Sequence, residues 1–329
     1  MNPHLIERLP ILIINPYSRC NCRCAMCDIW KTTDVKALSA GIVQKVANDL
    51  KALRTEWVVF SGGEALMHPE LFRFCEILRS ACNLRLSLLT SGLLLEQHAE
   101  DVARWFDDVI VSLDGPPATH DHIRGVTGAF RVLLRGVEAL RRRKGDFAIS
   151  ARSTVQNHNA ALLRRTVETA RELKLNGISF LAVDLDSQAF NHNGLTQIRR
   201  NAVAVAPERI PLLEDEIEAL IAGGECGGFV AESAEKLQRI AAHCRAAAGL
   251  GSFEAPVCNA PWVSAVLEAD GRVRPCFFHN AYDADVSRRN LADVINETDA
   301  VSFRSGLAVA RNDVCRRCVC SLNLKRAAY

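Results

Sequence analysis

The residues of this chain whose type and spacing could do chemistry are its cysteines. Cys20, Cys24 and Cys27 form a C-x3-C-x2-C loop just after a short apolar run, Ile11–Ile14. Three thiolates set so close together can hold three irons of a [4Fe–4S] cube and leave the fourth iron open. An open iron is what a cluster needs if it is to bind a small molecule and pass it an electron. Cys22 lies inside the same loop, so several three- or four-cysteine sets are available, and a structural zinc ion is an alternative occupant. A second group comprises Cys258, Cys276, Cys315, Cys318 and Cys320. Cys258 and Cys276 flank a hairpin signal, and Cys315-x2-Cys318 follows near the C-terminal end, a pattern suited to a closed four-thiolate site with Cys320 to spare. The full count of 13 cysteines is odd and lies mostly in these two clumps. That argues for metal binding in a reducing cytoplasm over a disulfide framework. Cys75, Cys82, Cys226 and Cys244 fall in helical-looking stretches and read as small core residues.

The elements that must position these groups are legible as an alternation. Strands are predicted at Ile11–Asn15, Trp57–Ser61, Leu84–Thr90, Val109–Leu113, Phe147–Val155 and Ile178–Val183. Helical periodicity separates them, near Ala37–Leu53, Glu70–Ala81, Glu96–Trp105, Ala129–Arg143 and Asn159–Leu175. Strands that are apolar almost throughout, each followed by a helix, imply a parallel sheet covered on its outer face. Such units build an open doubly wound sheet or an incomplete barrel, and in both the ligands gather at the carboxyl ends of the strands. The pattern changes after Asp184. A polar stretch at Asn191–Asn201 leads to helices near Pro211–Ala222 and Ala231–Ala248, read as a connector or lid. From Gly251 onward the signal is a hairpin, Val263–Leu267 and Val273–Arg274 joined by an Asp270-Gly271 turn, followed by a short helix near Leu291–Ile295. The expected division is therefore 1–190, 191–250 and 251–329.

Composition excludes several classes. The net charge is +2 over 329 residues, and the one dense basic run, Arg141–Lys144, sits where a helix ends, so nucleic acid is not an expected partner. No apolar run approaches the roughly 18 residues of a membrane span, and no signal-peptide pattern opens the chain. A cytoplasmic location is expected.

The run Cys20-Asn21-Cys22-Arg23-Cys24-Ala25-Met26-Cys27 resembles the signature loop of the radical S-adenosylmethionine (SAM) superfamily. One helix and one strand later, Ser61-Gly62-Gly63-Glu64 resembles that family's Gly-Gly-Glu motif. The two glycines would let the backbone approach the methionine part of the cofactor, and Glu64 or adjacent backbone would accept from its ammonium group. Thr90-Ser91-Gly92 and Ser112-Leu113-Asp114-Gly115 close the next two strands. The resemblance implies that Ser91, Ser112 and Asp114 line the cofactor's ribose and carboxylate. It implies further that Arg124, in His120-Asp121-His122-Ile123-Arg124-Gly125, pairs with that carboxylate. A capping role for Asp114 and a surface salt bridge for Arg124 are the competing readings; His120 and His122 read as structural. The set Cys258…Gly271…Cys276…Cys315-x2-Cys318 resembles the twitch module, a shortened SPASM domain holding one auxiliary [4Fe–4S] cluster.

The fold so implied is an incomplete (βα)6 TIM-like barrel with a helical connector and a small C-terminal iron–sulfur domain. The implied reaction is reductive cleavage of SAM to a 5′-deoxyadenosyl radical that abstracts hydrogen from substrate. The auxiliary cluster would accept an electron to give a net oxidation, and an external donor such as flavodoxin or ferredoxin would supply the priming electron. About 19 residues precede Cys20, which leaves no room for a leader-peptide-binding domain and favours a small-molecule substrate over a peptide. The third alternative is a non-catalytic iron–sulfur or zinc protein. Arg152, Asp184, Asp186 and Gln188 are open candidates for a general base.

Overall fold

The structure is a computed structural model and is described here over residues 2–190 and 195–324. The start of the polar stretch at 191–201 and the last five residues of the chain lie outside the described residues.

Six strands, β1 (Ile11–Ile14), β2 (Trp57–Phe60), β3 (Arg85–Thr90), β4 (Asp108–Ser112), β5 (Ala148–Val155) and β6 (Ile178–Ala182), are each joined to the next by at least one helix. All run parallel and pair in chain order, in registers such as Ile11↔Trp57, Val59↔Ser87 and Arg152↔Ser179. The expected alternation is therefore present, closed only in part, as the α/β partial barrel anticipated from the sequence. β1 (ILII) and β2 (WVVF) are almost wholly buried because helices cover one face and the barrel interior the other.

The covering helices are α1 (Ala40–Leu50), α2 (Leu71–Ala81), α3 (Ala99–Trp105), α4 (Pro117–Arg124), α5 (Ala129–Arg143) and α6 (Leu163–Glu172). α5 shows why they lie where they do. It buries Leu133, Gly136, Val137 and Leu140, spaced to form one stripe, and turns its arginines outward. Arg141 reaches past the end of that helix to carbonyl oxygens of two loops, Gly145 at 3.1 Å and Lys174 at 3.1 Å among them, so part of the basic run is used by the fold. α4 was not predicted: the segment is short and its periodicity is masked by His120 and His122.

The connector follows as α7 (Gln197–Val203), α8 (Ile210–Ala222) and α9 (Ala234–Ala247). The bound drawn at 250/251 falls in a stretch without regular structure. Beyond it the predicted hairpin forms as β7 (Ser264–Leu267) and β8 (Val273–Arg274), with Gly271 in the turn at φ +86°. The hairpin does not stand apart: β7 pairs in parallel with β1, from Ile11↔Ser264 to Ile14↔Leu267, extending the sheet to eight strands. An incomplete barrel leaves β1 with a bare edge, and β7, buried at every position, covers it. Cys75 and Cys244 are core residues as expected, while Cys82 and Cys226 are half-buried against the core. Among the described residues no helix is long and apolar enough to cross a membrane.

Candidate active site and paired cysteine centres

The cysteine loop leaves the carboxyl end of β1 and is clamped from three sides. Arg23 N donates to Arg124 O (2.9 Å) and Ala25 N to Ile123 O (3.0 Å), which ties the loop to the end of α4. Glu64 N donates to Arg19 O (2.8 Å), tying it to the loop after β2. Arg199 on α7 reaches across to Ala25 O at 2.8 Å and pairs with Asp28. The glycines have a clear steric role here: Gly62 sits at φ +101°, and a Cβ on Gly63 would lie 2.0 Å from Arg19 O. These two residues are small so that two strand-end loops can touch.

Cys20, Cys22, Cys24 and Cys27 line a cavity of about 240 Å³ together with Gly62, Gly63, Ser91, Ser112 and Arg124. The remaining residues marked for cofactor binding, Glu64 and Asp114, are buried behind that wall, 1% and 0% exposed. Glu64 accepts from Thr90 Oγ1 (2.8 Å), Ser91 N (2.8 Å) and Ser91 Oγ (2.6 Å), so its carboxylate is satisfied within the protein. Asp114 accepts from Thr154 N (2.8 Å) and faces Arg124 Nη2 at 2.5 Å. Arg124 is no surface salt bridge: it is buried, ion-paired, and 3.8 Å from Cys24 Sγ. His120 accepts from Asp114 N at 3.3 Å and is held neutral, its pKa lowered to about 4 by burial.

The four thiols differ in charge preference. Hydrogen bonding from Cys22 favours the thiolate at Cys20 and, with Arg124 nearby, lowers Cys24 to about 7, against the cost of burial. Cys22 is the donor in both contacts and its own pKa is driven upward by them. Cys27, away from that network, is raised to about 12 by burial.

A second cavity of about 240 Å³ adjoins the first. It is lined by Cys258, Cys276, Cys315, Cys318 and Cys320 with His279. Three remote segments converge there for identifiable reasons. Asn259, next to Cys258, holds the chain end through Asn259 N to Leu322 O (2.8 Å) and Leu324 N to Asn259 Oδ1 (3.0 Å). Asn312 caps the turn bearing Cys315 at 3.0 Å, and Arg239 on α9 donates to Cys318 O at 3.3 Å. His279 Nε2 lies 3.3 Å from Cys315 Sγ. Burial and the neighbouring thiols raise Cys276, and Cys315 reaches about 11. Ser61, Leu89, Ile110, Arg152, Phe277, Phe278 and Cys320 line both cavities.

Sequence reasoning missed Arg199 as a clamp, His279 beside Cys315, and the aromatic group of Phe190, Phe277 and Phe278. Phe190 and Phe277 stack with ring centroids 6.3 Å apart. The run Phe277-Phe278-His279 directly after Cys276 was the available signal. Of the open base candidates, Arg152 and Asp184 line the first cavity, whereas Asp186 pairs with Arg200 and Arg317.

Both cysteine sets suit clusters. Among the described residues no three His, Cys, Asp or Glu side chains converge tightly enough to hold a single metal ion. A cube asks for something looser, one thiolate per iron corner, and the thiols of Cys20, Cys24 and Cys27 on one wall, with Cys22 beside them, can meet that need. The fold and site thus define an α/β partial-barrel protein with two iron–sulfur centres facing a shared space.

Residues 14–156 match the Radical SAM superfamily and residues 258–319 match an iron–sulfur cluster-binding domain, SPASM. The chain thus carries a radical SAM domain followed by a SPASM-type iron–sulfur module. It is 33% identical over 159 residues to an AdoMet-dependent heme synthase of Methanosarcina barkeri, covering 47% of this chain and 45% of that one. It is 25% identical over 233 residues to an Fe-coproporphyrin III synthase of the same organism, covering 68% of this chain and 57% of that one. The matches thus span about half the length of these curated relatives. The Streptococcus suis SuiB structure, bound to precursor peptide SuiA, shares the fold with a TM-score of 0.69 and 12% identity, covering 96% of this chain and 72% of SuiB.

Proposed function

We propose that this chain cleaves SAM reductively and uses the resulting radical to oxidise a carboxylic-acid-bearing small molecule of the tetrapyrrole class. The observation that carries the reading is the pair of adjoining cavities, one lined by Cys20, Cys24 and Cys27, the other by Cys258, Cys276, Cys315 and Cys318. The heme and coproporphyrin synthases among the relatives point to the substrate class. With clusters and cofactor bound, the chemistry supplied is one-electron cleavage of the sulfonium, hydrogen abstraction from substrate, and uptake of the second electron by the auxiliary centre.

The protein's own part is placement and exclusion. Gly62, Gly63, Ser91 and Ser112 offer backbone and hydroxyl groups to the cofactor at the strand ends. Glu64 and the Asp114–Arg124 pair hold those strand ends and the cysteine loop in register from behind. Phe190, Phe277, Phe278, Leu89 and Ile110 keep the shared space apolar, which limits quenching of a radical by water. We place the enzyme in the cytoplasm, with the first electron delivered by a flavodoxin- or ferredoxin-type donor.

The test is direct. Anaerobically reconstituted protein with dithionite and SAM is expected to release 5′-deoxyadenosine. Full iron loading without that product makes the protein a non-catalytic iron–sulfur carrier.

A further inference from the structure

Four cationic or potentially cationic side chains line the two cavities: Arg124, Arg152, Lys236 and His279. Arg124 is matched by Asp114 at 2.5 Å, and Lys236 by Glu232 at 3.4 Å. His279 is directed at Cys315. Arg152 is different. It lies within β5 in register with Ser112, the last residue of β4, on one side and with Ser179, near the start of β6, on the other. Its one side-chain hydrogen bond among the described residues runs from Nε to Ser179 Oγ at 3.3 Å, and no carboxylate there pairs with it. The acid that shares its cavity, Asp184, is occupied by the backbone N–H of Ser187 (3.2 Å) and Asp186 (3.3 Å) and by the Ser187 hydroxyl.

A half-buried guanidinium facing apolar walls without a counter-ion is an unsatisfied charge, and such a charge is costly unless an anion meets it. Its planar fork suits a carboxylate best. Arg152 also lines both cavities, so the anion it takes sits between the two cysteine centres. The geometry points to Arg152 as a substrate-binding residue that grips a carboxylate of the substrate and sets the rest of the molecule against Phe277 and Phe278. This deepens the radical-enzyme reading and rests on it. The alternative owner of the same chemistry is the carboxylate of the SAM methionine moiety, and the experiment separates the two.

Reconstituted wild-type, Arg152→Gln and Arg152→Lys proteins are titrated with SAM, with coproporphyrin III, and with coproporphyrin III tetramethyl ester, following the porphyrin absorbance. The wild type is expected to bind the free acid at least tenfold more tightly than the ester. Arg152→Gln should lose that preference, Arg152→Lys should keep part of it, and both should bind SAM within threefold of the wild type. A tenfold loss of SAM affinity with unchanged porphyrin binding hands the guanidinium to the cofactor and overturns the inference. Equal binding of acid and ester by the wild type, an unaltered acid preference in Arg152→Gln, or no porphyrin binding overturns it as well. Production of 5′-deoxyadenosine by the same wild-type sample shows whether the radical reading stands on its own in each case.

Discussion

The two cysteine centres face one space but are built on opposite principles. The N-terminal centre takes its thiols from one loop and steadies that loop with buried charge, through Arg124, Asp114 and the Glu64 carboxylate. The C-terminal centre gathers thiols from three segments and is braced by single contacts from around it, the Asn259 clasp near the chain end, Arg239 on Cys318 O and the His279 ring beside Cys315. A centre that must admit a ligand needs an open wall, so its rigidity comes from behind. A closed centre gets its rigidity from the convergence of its own ligands. The contrast predicts that damage to the first centre stops chemistry at its first step, whereas damage to the second spares that step.

The largest effect is expected at the first centre. Cys24→Ala should reduce 5′-deoxyadenosine formation at least 100-fold, whereas Cys276→Ala should retain it while losing about half of the cluster absorbance. Equal losses in the two variants would erase the functional distinction. Next, Arg124→Met leaves Asp114 buried without a counter-ion, and such changes cost about 3–5 kcal/mol. Denaturant unfolding of the reconstituted protein would measure it. Arg239→Met, which removes a single contact to Cys318 O, should cost about 1 kcal/mol by the same assay.

Acid sensitivity sharpens the comparison, because a buried neutral histidine lies behind the first centre. His120 has a folded-state pKa of about 4, below the unfolded value of about 6.5. Below pH 6.5 the unfolded chain therefore binds a proton that the folded chain refuses, and stability falls as pH drops toward 4. Between pH 7 and pH 5 this contributes a loss of about 2 kcal/mol. The slope of unfolding free energy against pH should flatten in His120→Phe. The smallest change is a redox one: His279→Phe removes the contact to the sulfur of Cys315, a proposed cluster ligand, which should lower the midpoint potential of the auxiliary cluster and leave the other cluster unchanged in spectroelectrochemical titration.

The fold was legible wherever one signal repeated. β1 to β6 appeared in the sequence at nearly their true bounds because buried parallel strands are continuously apolar. The hairpin was legible because Asp270-Gly271 marks its turn. α4 and α7 were not, since short helices rich in histidine or arginine carry little periodicity. The attachment of β7 to β1 was hidden for a different reason: pairing between strands some 250 residues apart leaves no local trace in either.

At the site, residue type and spacing picked out the two cysteine groups, the Gly62-Gly63-Glu64 turn and the strand-end hydroxyls as candidates, because chemistry of this kind needs those groups in short range of one another, and left open which thiols of each group serve. Only the tertiary structure decided which charges are already spent. Glu64, Asp114 and Arg124 look like ligands for a cofactor when read as letters, but in the fold they are largely satisfied by one another and by Thr90, Ser91 and Thr154. Arg152, by sequence one of several open candidates for a general base, is the one left facing the shared space without a carboxylate among the described residues. Whether a charge is free depends on every neighbour within a few ångströms, and those neighbours come from strands and loops that only folding brings together.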